Sequence, residues 1–285
     1  MRYRRGFTLV EILVSLVVMV VVTGAIYKML TSSQRLSRAQ AERVSLQSNV
    51  RGGALIVPAE LRELNTVLGN VANTDVLTAL PSDITYRAMR GIGFVCQTPT
   101  ATEIRVARSS YSAYRDPAAG RDGVYIFIDG NPDVSTDDVW LPLGVTTVAP
   151  ASSCSGTPAI ALTVTPSTTA LTAVPVGTPV RIYETMQLKL YSNGGKNWLG
   201  ARSLSAGETS MQPVLGPLTA NGLAFEYLGA GGAATTDPTA IKSIRITIRG
   251  VTDQNINLGD GSSGTLASVQ DSLVTQVVLR NAFRP

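Results

Sequence analysis

Several groups of residues in this chain have types and spacings that could do chemistry. Glu11 is a carboxylate inside the apolar stretch RRGFTLVEILVSLVVMVVV, residues 4–22. An acid at that depth in lipid costs a few kcal/mol unless a cation accompanies it. Cutting between Gly6 and Phe7 would create that cation, because Gly6 is small and flexible enough to enter a protease cleft in extended form. The freed α-amino group of Phe7 would lie one helical turn from Glu11. Glu11 could then meet its own amine and the unsatisfied N–H groups of the first turn, or the amine of a neighbouring subunit. Pairing between chains would favour one axial stagger.

The segment DGNPDVSTDD, residues 129–138, offers oxygens at Asp129, Asn131, Asp133, Ser135 and Asp137. Alternate spacing of this kind lets a loop fold around calcium. Glycine is absent from the sixth position and Trp140 replaces the bidentate Glu at the twelfth, so a polar hairpin turn competes with the metal. RSSYSAYRDPAAGR, residues 108–121, places Arg108, Tyr111, Tyr114, Arg115 and Arg121 together. Charge and stacking of that sort could grip a single strand of nucleic acid, and a solvated surface loop is the competing account. Cys96 and Cys154 suit one disulfide in an oxidising compartment, or two unpaired buried thiols. The chain contains no histidine, which excludes Ser-His-Asp and Cys-His hydrolases and HExxH metalloproteases. Two cysteines without CxxC spacing do not make a four-cysteine zinc site. No cofactor is called for, calcium aside, and an enzyme would need a polar cluster that the sequence does not offer.

Positioning these residues requires particular elements. From Phe7 to Leu30 only Glu11 and Lys28 are charged, which as a helix is long enough to cross a bilayer. Arg2, Arg4 and Arg5 would keep the start of the chain cytoplasmic and send the bulk to the other side. They also carry most of the formal charge of +4, so the excess says little about nucleic acid. A secretory signal with an apolar centre from Ile12 to Val22 is an alternative, but Thr23-Gly24-Ala25 is a marginal cleavage site and a signal gains nothing from Glu11. A plain membrane anchor has the same difficulty with the acid.

After Leu30 the pattern becomes amphipathic, with Leu36, Ala39, Leu46, Val50, Val57, Leu61 and Leu64 near heptad positions. The helix should continue over residues 31–66 and lay that stripe on a globular domain. Gly52-Gly53 and Pro58 are where it would bend or break. Beyond it the period falls to two: Val124, Ile126 and Ile128 alternate with Tyr125 and Phe127, and Ile244, Ile246 and Ile248 with Arg245, Thr247 and Arg249. Further strands are expected at Glu103 to Arg108, Asp138 to Leu143, Ala159 to Thr165, Pro179 to Leu190, Gly222 to Leu228 and Ser272 to Arg280. Asp129-Gly130, Asn193-Gly194-Gly195, Gly231-Gly232 and Gly259 to Gly264 supply turns. Residues 145–180, rich in Thr, Ala and Pro, suit irregular strands or a long insertion. Strands following one long helix predict an α+β fold, the helix packed on an antiparallel sheet. The expected organisation is a leader over 1–6, a membrane helix over 7–30, an amphipathic continuation over 31–66 and a β-rich domain over 67–285.

Arg5-Gly6-Phe7-Thr8-Leu9-Val10-Glu11, followed by a membrane-length apolar run, resembles the cleavage and N-methylation motif of type IV pilins and type II secretion pseudopilins. The resemblance implies a prepilin peptidase cutting after Gly6, methylation of Phe7, and assembly into a filament in which Glu11 recognises the N-terminus of an adjacent subunit. SSQRLSRAQAERVSLQSNVRGGALIVPAELREL, residues 32–64, is similar to the segment following the anchor in PilW-type minor pilins. The C-terminal order, Leu223 to Leu228, Ile241 to Arg249, then Ser272 to Asn281, also resembles the last strands of PilW-type pilins and J-type pseudopilins. The membrane helix lacks the midway proline of many major pilins, and 285 residues is large for a major subunit. Both departures point to a minor pilin stored in the inner membrane with its domain in the periplasm, then moved to the pilus with other major and minor pilins. The alternatives are a J-type subunit of a secretion pseudopilus, and a tip module that binds DNA or a surface.

Overall fold

The computed structural model describes residues 7–113, 115–131, 133, 134, 137–257 and 266–280. The expected leader, Tyr114, Ser135, the Gly259 to Gly264 turn and Asn281 lie outside them. The chain divides into two compact units, Met1–Ser48 with Val251–Asp271, and Asn49–Gly250 with Ser272–Pro285.

Helix α1 runs unbroken from Leu9 to Arg62, over 54 residues. Its start is a capping box: the Glu11 N–H donates to the Thr8 hydroxyl at 3.3 Å, and the Thr8 N–H donates back to Glu11 Oε2 at 2.9 Å. The helix passes through Gly52, Gly53 and Pro58 without interruption, contrary to the expected break, and ends four residues short of the expected limit. Near the last turn Pro58 removes one intrahelical hydrogen bond, a loss that surrounding packing can offset. In the larger unit Val50, Val57 and Leu61 are buried, each contributing roughly 1.5–3 kcal/mol, whereas Leu36, in the smaller unit, stays exposed.

Strand β1 (Val76–Leu80) opens the sheet and pairs with β2 (Asp83–Gln97). β3 (Glu103–Ala107) and a two-residue β4 (Ser112–Ala113) also pair with β2. Then come β5 (Asp122–Ile128), β6 (Val139–Cys154), β7 (Thr157–Thr165) and β8 (Pro179–Asn193). β9 (Lys196–Ser203), β10 (Gln212–Leu228) and β11 (Ser243–Val251) continue the sheet, and β14 (Gln270–Val278) follows β11 in the strand order. β12 (Ile256–Asn257) and β13 (Leu266–Ala267) form a separate two-stranded ribbon. The pairings among β1 to β11, and that of β12 with β13, are antiparallel, and the α+β architecture stands.

Two cores sit on this one sheet. In the first, Val57, Leu61 and Leu64 pack against Ile84, Tyr86, Leu188, Leu199, Phe225 and the fully buried Ile244, Ile246 and Ile248. The second arises because β2–β3, β3–β7, β7–β6, β6–β5, β5–β8 and β8–β2 pairings close a ring of six strands. Its interior holds Val95, Ile104, Val106, Val124, Ile126, Leu143, Ile160, Leu162, Val180 and Ile182, with Leu171 and Val174 also in the cluster. Residues 145–180 are therefore largely regular, supplying two long strands of a barrel. Cys96 at the end of β2 is joined to Cys154 at the end of β6, with Cα atoms 5.9 Å apart. Closing a loop over a separation of 58 residues is worth about 4 kcal/mol in the chain-entropy account.

At Gly53 the helix lies close against side chains of the sheet. A Cβ there would collide with Leu215 Cδ2 and come within 2.8 Å of Ile248 Cδ1. Gly53→Leu should therefore lower unfolding stability by about 1–3 kcal/mol in urea titrations, through overpacking. A variant with unchanged midpoint would show that the helix does not press on Leu215 and Ile248.

Candidate functional site

The N-terminal segment is built from α1 alone. Glu11, Ser15, Val18 and Val22 recur at helical spacing and so share one face. Besides the Thr8 N–H, Glu11 Oε2 accepts from the Thr8 hydroxyl at 3.0 Å. Within the chain the acid is thus held by the residue that caps the helix. The most apolar part of the helix is buried nowhere along its length, and the helix is long and apolar enough to cross a membrane. Phe7 is 84% exposed at its start, and Gly6 lies outside the described residues.

Two arginines of the loop that carried the nucleic-acid expectation, Arg115 and Arg121, are turned onto buried acids, while Arg108, Ser109 and Asp116 stay exposed. Asp122 and Glu184 face each other directly across β5 and β8, and both are buried. Like charges at opposed positions destabilise a sheet, so cations must come from elsewhere. Arg115 donates to both oxygens of Asp122, at 2.5 and 2.6 Å, and reaches Glu184 at 3.3 Å. Arg121 donates to Glu184 at 2.6 Å and Arg90 to the same carboxylate at 3.2 Å. Arg90 also bonds Glu60 on α1 at 3.0 Å, tying helix to barrel. Burial works to raise the Glu184 carboxyl, but Ser203 and the Arg121 and Arg90 guanidiniums outweigh it and hold the group below the ordinary Glu range.

The remaining loop residues are committed as well. Arg108 forms a two-pronged pair with Asp116 at 2.7 and 2.9 Å. Tyr111 donates its hydroxyl to the Arg115 carbonyl at 3.1 Å, and burial pushes that hydroxyl up to about 12. Its ring lies across Gly91 and Gly93, where any Cβ would meet it within 3.2 and 3.3 Å. With both arginines neutralised and the ring packed on backbone, these residues do not offer the free charge and open aromatic face that strand binding requires.

The candidate calcium residues lie in the β5–β6 connection. Asn131 Oδ1 accepts from the Asp133 N–H at 3.2 Å, and the Asp137 carboxylate folds over Gly130, whose Cβ would come within 2.6 Å of it. Among the described residues no three His, Cys, Asp or Glu side chains gather as metal ligands.

Sequence reasoning also missed a second polar group. Asp75, buried, accepts from the Asn65 N–H at 2.8 Å and the Tyr125 hydroxyl at 3.0 Å. Arg87 donates to that hydroxyl at 2.7 Å and to the Ala72 and Thr74 carbonyls, which holds residues 65–75 in place. Burial raises the Asp75 carboxyl to about 6, against the Asn65 and Tyr125 hydrogen bonds and the nearby guanidiniums of Arg181 and Arg87. A signal for the other network did exist. Asp122 and Glu184 occupy the inward phase of Val124, Ile126 and Val180, Ile182, where an acid needs a buried partner.

The family described as prokaryotic N-terminal methylation motif matches residues 1–27. Comparison with curated proteins and with solved structures gives no match. The motif, together with the apolar helix, supports a type IV pilin-like protein, pilin or pseudopilin, anchored in a membrane by that helix. The motif implies processing by a prepilin peptidase and assembly with other pilins, which suggests a structural rather than a catalytic protein.

Two outcomes follow from the buried charges. Arg115→Ala strands Asp122 without its main partner and should cost about 3 kcal/mol or more in urea unfolding. A loss below about 1 kcal/mol would mean that water replaces the guanidinium. Asp75 has its folded value raised from 3.8 to about 6, so it stabilises the fold fully below pH 3.8 and that contribution is lost as pH rises through 6. Unfolding free energies measured from pH 4 to 7 should show this decline in the native chain and a flatter profile in Asp75→Asn. Parallel profiles would remove Asp75 as the cause.

Proposed function

We propose that this protein is a minor pilin: a precursor held in the inner membrane with its domain in the periplasm, cut after Gly6, methylated on Phe7 and incorporated into a type IV pilus. The observation that carries this reading is the motif over residues 1–27 running into an apolar helix that leaves all its membrane-length surface unburied. A surface that is apolar except at Glu11 and a few small polar residues suits first lipid and then the helices of neighbouring subunits, where close packing supplies cohesion. Glu11 supplies register. In the chain by itself its carboxylate is occupied by Thr8, a local hydrogen bond that a methylated amine from an adjacent subunit can replace with an ion pair. The large barrel-bearing domain, with no midway proline in the membrane helix, favours a low-copy position over the repeating major subunit.

Glu11→Ala tests the mechanism. Mass spectrometry should find the variant still beginning at methylated Phe7, while its amount in sheared filaments falls at least roughly tenfold. Wild-type amounts in the filaments would refute the register role. Deleting the gene separates the pilus from a secretion pseudopilus: lost surface pili or twitching favours the former, trapped exoproteins the latter.

A further inference from the structure

Where the apolar run ends, α1 carries a row of cations along one side. No acidic residue stands between Glu11 and Glu42, whereas Lys28, Arg35 and Arg38 fall within about three turns of helix. At about 100° per residue, Tyr27, Lys28, Thr31, Arg35 and Arg38 occupy an arc about 100° wide. The side opposite to it holds Met29, Ser33, Leu36 and Gln40, all uncharged. Lys28, Arg35 and Arg38 are exposed and make no hydrogen bond or ion pair with any described residue. One turn on, Glu42 lies on the same side but is already occupied, accepting from the Asp253 and Gln254 N–H groups at 3.0 and 3.4 Å. The open part of this basic side therefore ends at Arg38.

The depth of the row matches a headgroup layer. Leu30 closes the apolar run, and at about 1.5 Å per residue Arg35 stands about 7 Å and Arg38 about 12 Å beyond it. The polar layer over the hydrocarbon is about 5–7 Å thick, and long basic side chains reach back towards it. Lys28 sits at the boundary beside Tyr27, an exposed aromatic of the kind that settles at headgroup level. Cations on the translocated side of a span run against the usual charge bias, so this placement calls for an anionic partner.

We infer that the basic side of α1 from Lys28 to Arg38 binds the phosphate groups of anionic phospholipids in the leaflet that Tyr27 reaches. Each guanidinium can hold two phosphate oxygens, and Lys28 adds a point charge. A zwitterionic headgroup brings its own cation, which repels the arginines, whereas a net anionic one leaves its phosphate open to them. The cations form a row rather than a ring, and the helix continues unbroken through them, so the bound state favours a helix leaning towards its basic side. An acidic helix of another subunit would meet the same charges, but Tyr27 and the depth of Lys28 belong to a lipid boundary. The inference rests on the membrane-anchored reading and adds the lipid that the anchor selects.

The test uses the full-length chain in nanodiscs of phosphatidylcholine mixed with phosphatidylglycerol, followed by native mass spectrometry of the lipids it retains on release. Retained lipid should be enriched in phosphatidylglycerol roughly fivefold over the mixture, and added salt should reduce the enrichment. Arg35→Gln combined with Arg38→Gln should abolish the preference, while Arg43→Gln, which removes a charge lying off the row, should keep it. All three positions are exposed, so the thermal unfolding midpoint should stay unchanged. Equal retention of the two lipids by an inserted native chain overturns the inference and leaves the anchored reading intact, whereas failure to enter nanodiscs overturns both. A preference lost equally in Arg43→Gln shows a general attraction between charges without a site and also overturns it. If the double variant keeps its lipid preference but drops out of sheared filaments, the row belongs instead to an acidic face of a neighbouring subunit.

Discussion

The ladder between β2 and β8 carries both cores of this protein. It runs from Asp83 against Lys189 to Phe94 against Pro179, with a bulge between Met89 and Gly91. On one side of the bulge Ile84 and Tyr86 meet α1, and on the other Val95 and Ile182 enter the barrel. A bulge re-aims the strand and increases its twist, which lets one pair of strands change from an open sheet to a closed ring. Neither core could be lost without disturbing the strands that build the other.

Helix α1 meets two different demands along one rod. Up to about Lys28 it is unburied and apolar apart from Glu11, Ser15, Thr23 and Lys28, as a surface requires when its solvent is lipid or other helices. From Val50 onward one apolar stripe is buried, while Leu55 and Ile56, off that stripe, remain exposed. Gly53 in the stripe gains its place through close approach to Leu215 and Ile248 rather than through any break.

Buried charge organises the barrel's junction with the helix. Asp122 and Glu184 are opposed on adjacent strands, a repulsive arrangement that persists only because Arg90, Arg115 and Arg121 converge on it. Such networks are weak contributors to net stability and strong constraints on geometry, since leaving one charge unpaired is costly. Here they fix the 108–121 loop against the barrel and, through Glu60, the helix end as well. Within the loop that most resembled a binding surface, Arg115 and Arg121 are therefore bracing for the buried acids.

What the sequence determined is what depends on neighbours in the chain. The Gly6-Phe7 motif, the membrane-length run, the T-x-x-E start at Thr8 and the alternation that buries Ile244, Ile246 and Ile248 are all local patterns, set by helix and strand periods. The disulfide remained one of two choices, because cysteine spacing carries no geometry. Only the tertiary structure decided that six strands close into a ring, that Arg115 points at Asp122, and that Tyr111 lies on Gly91 and Gly93. Those pairings join residues as far apart as Asp83 and Lys189, and a period of two says which face a side chain takes but not which strand will lie beside it.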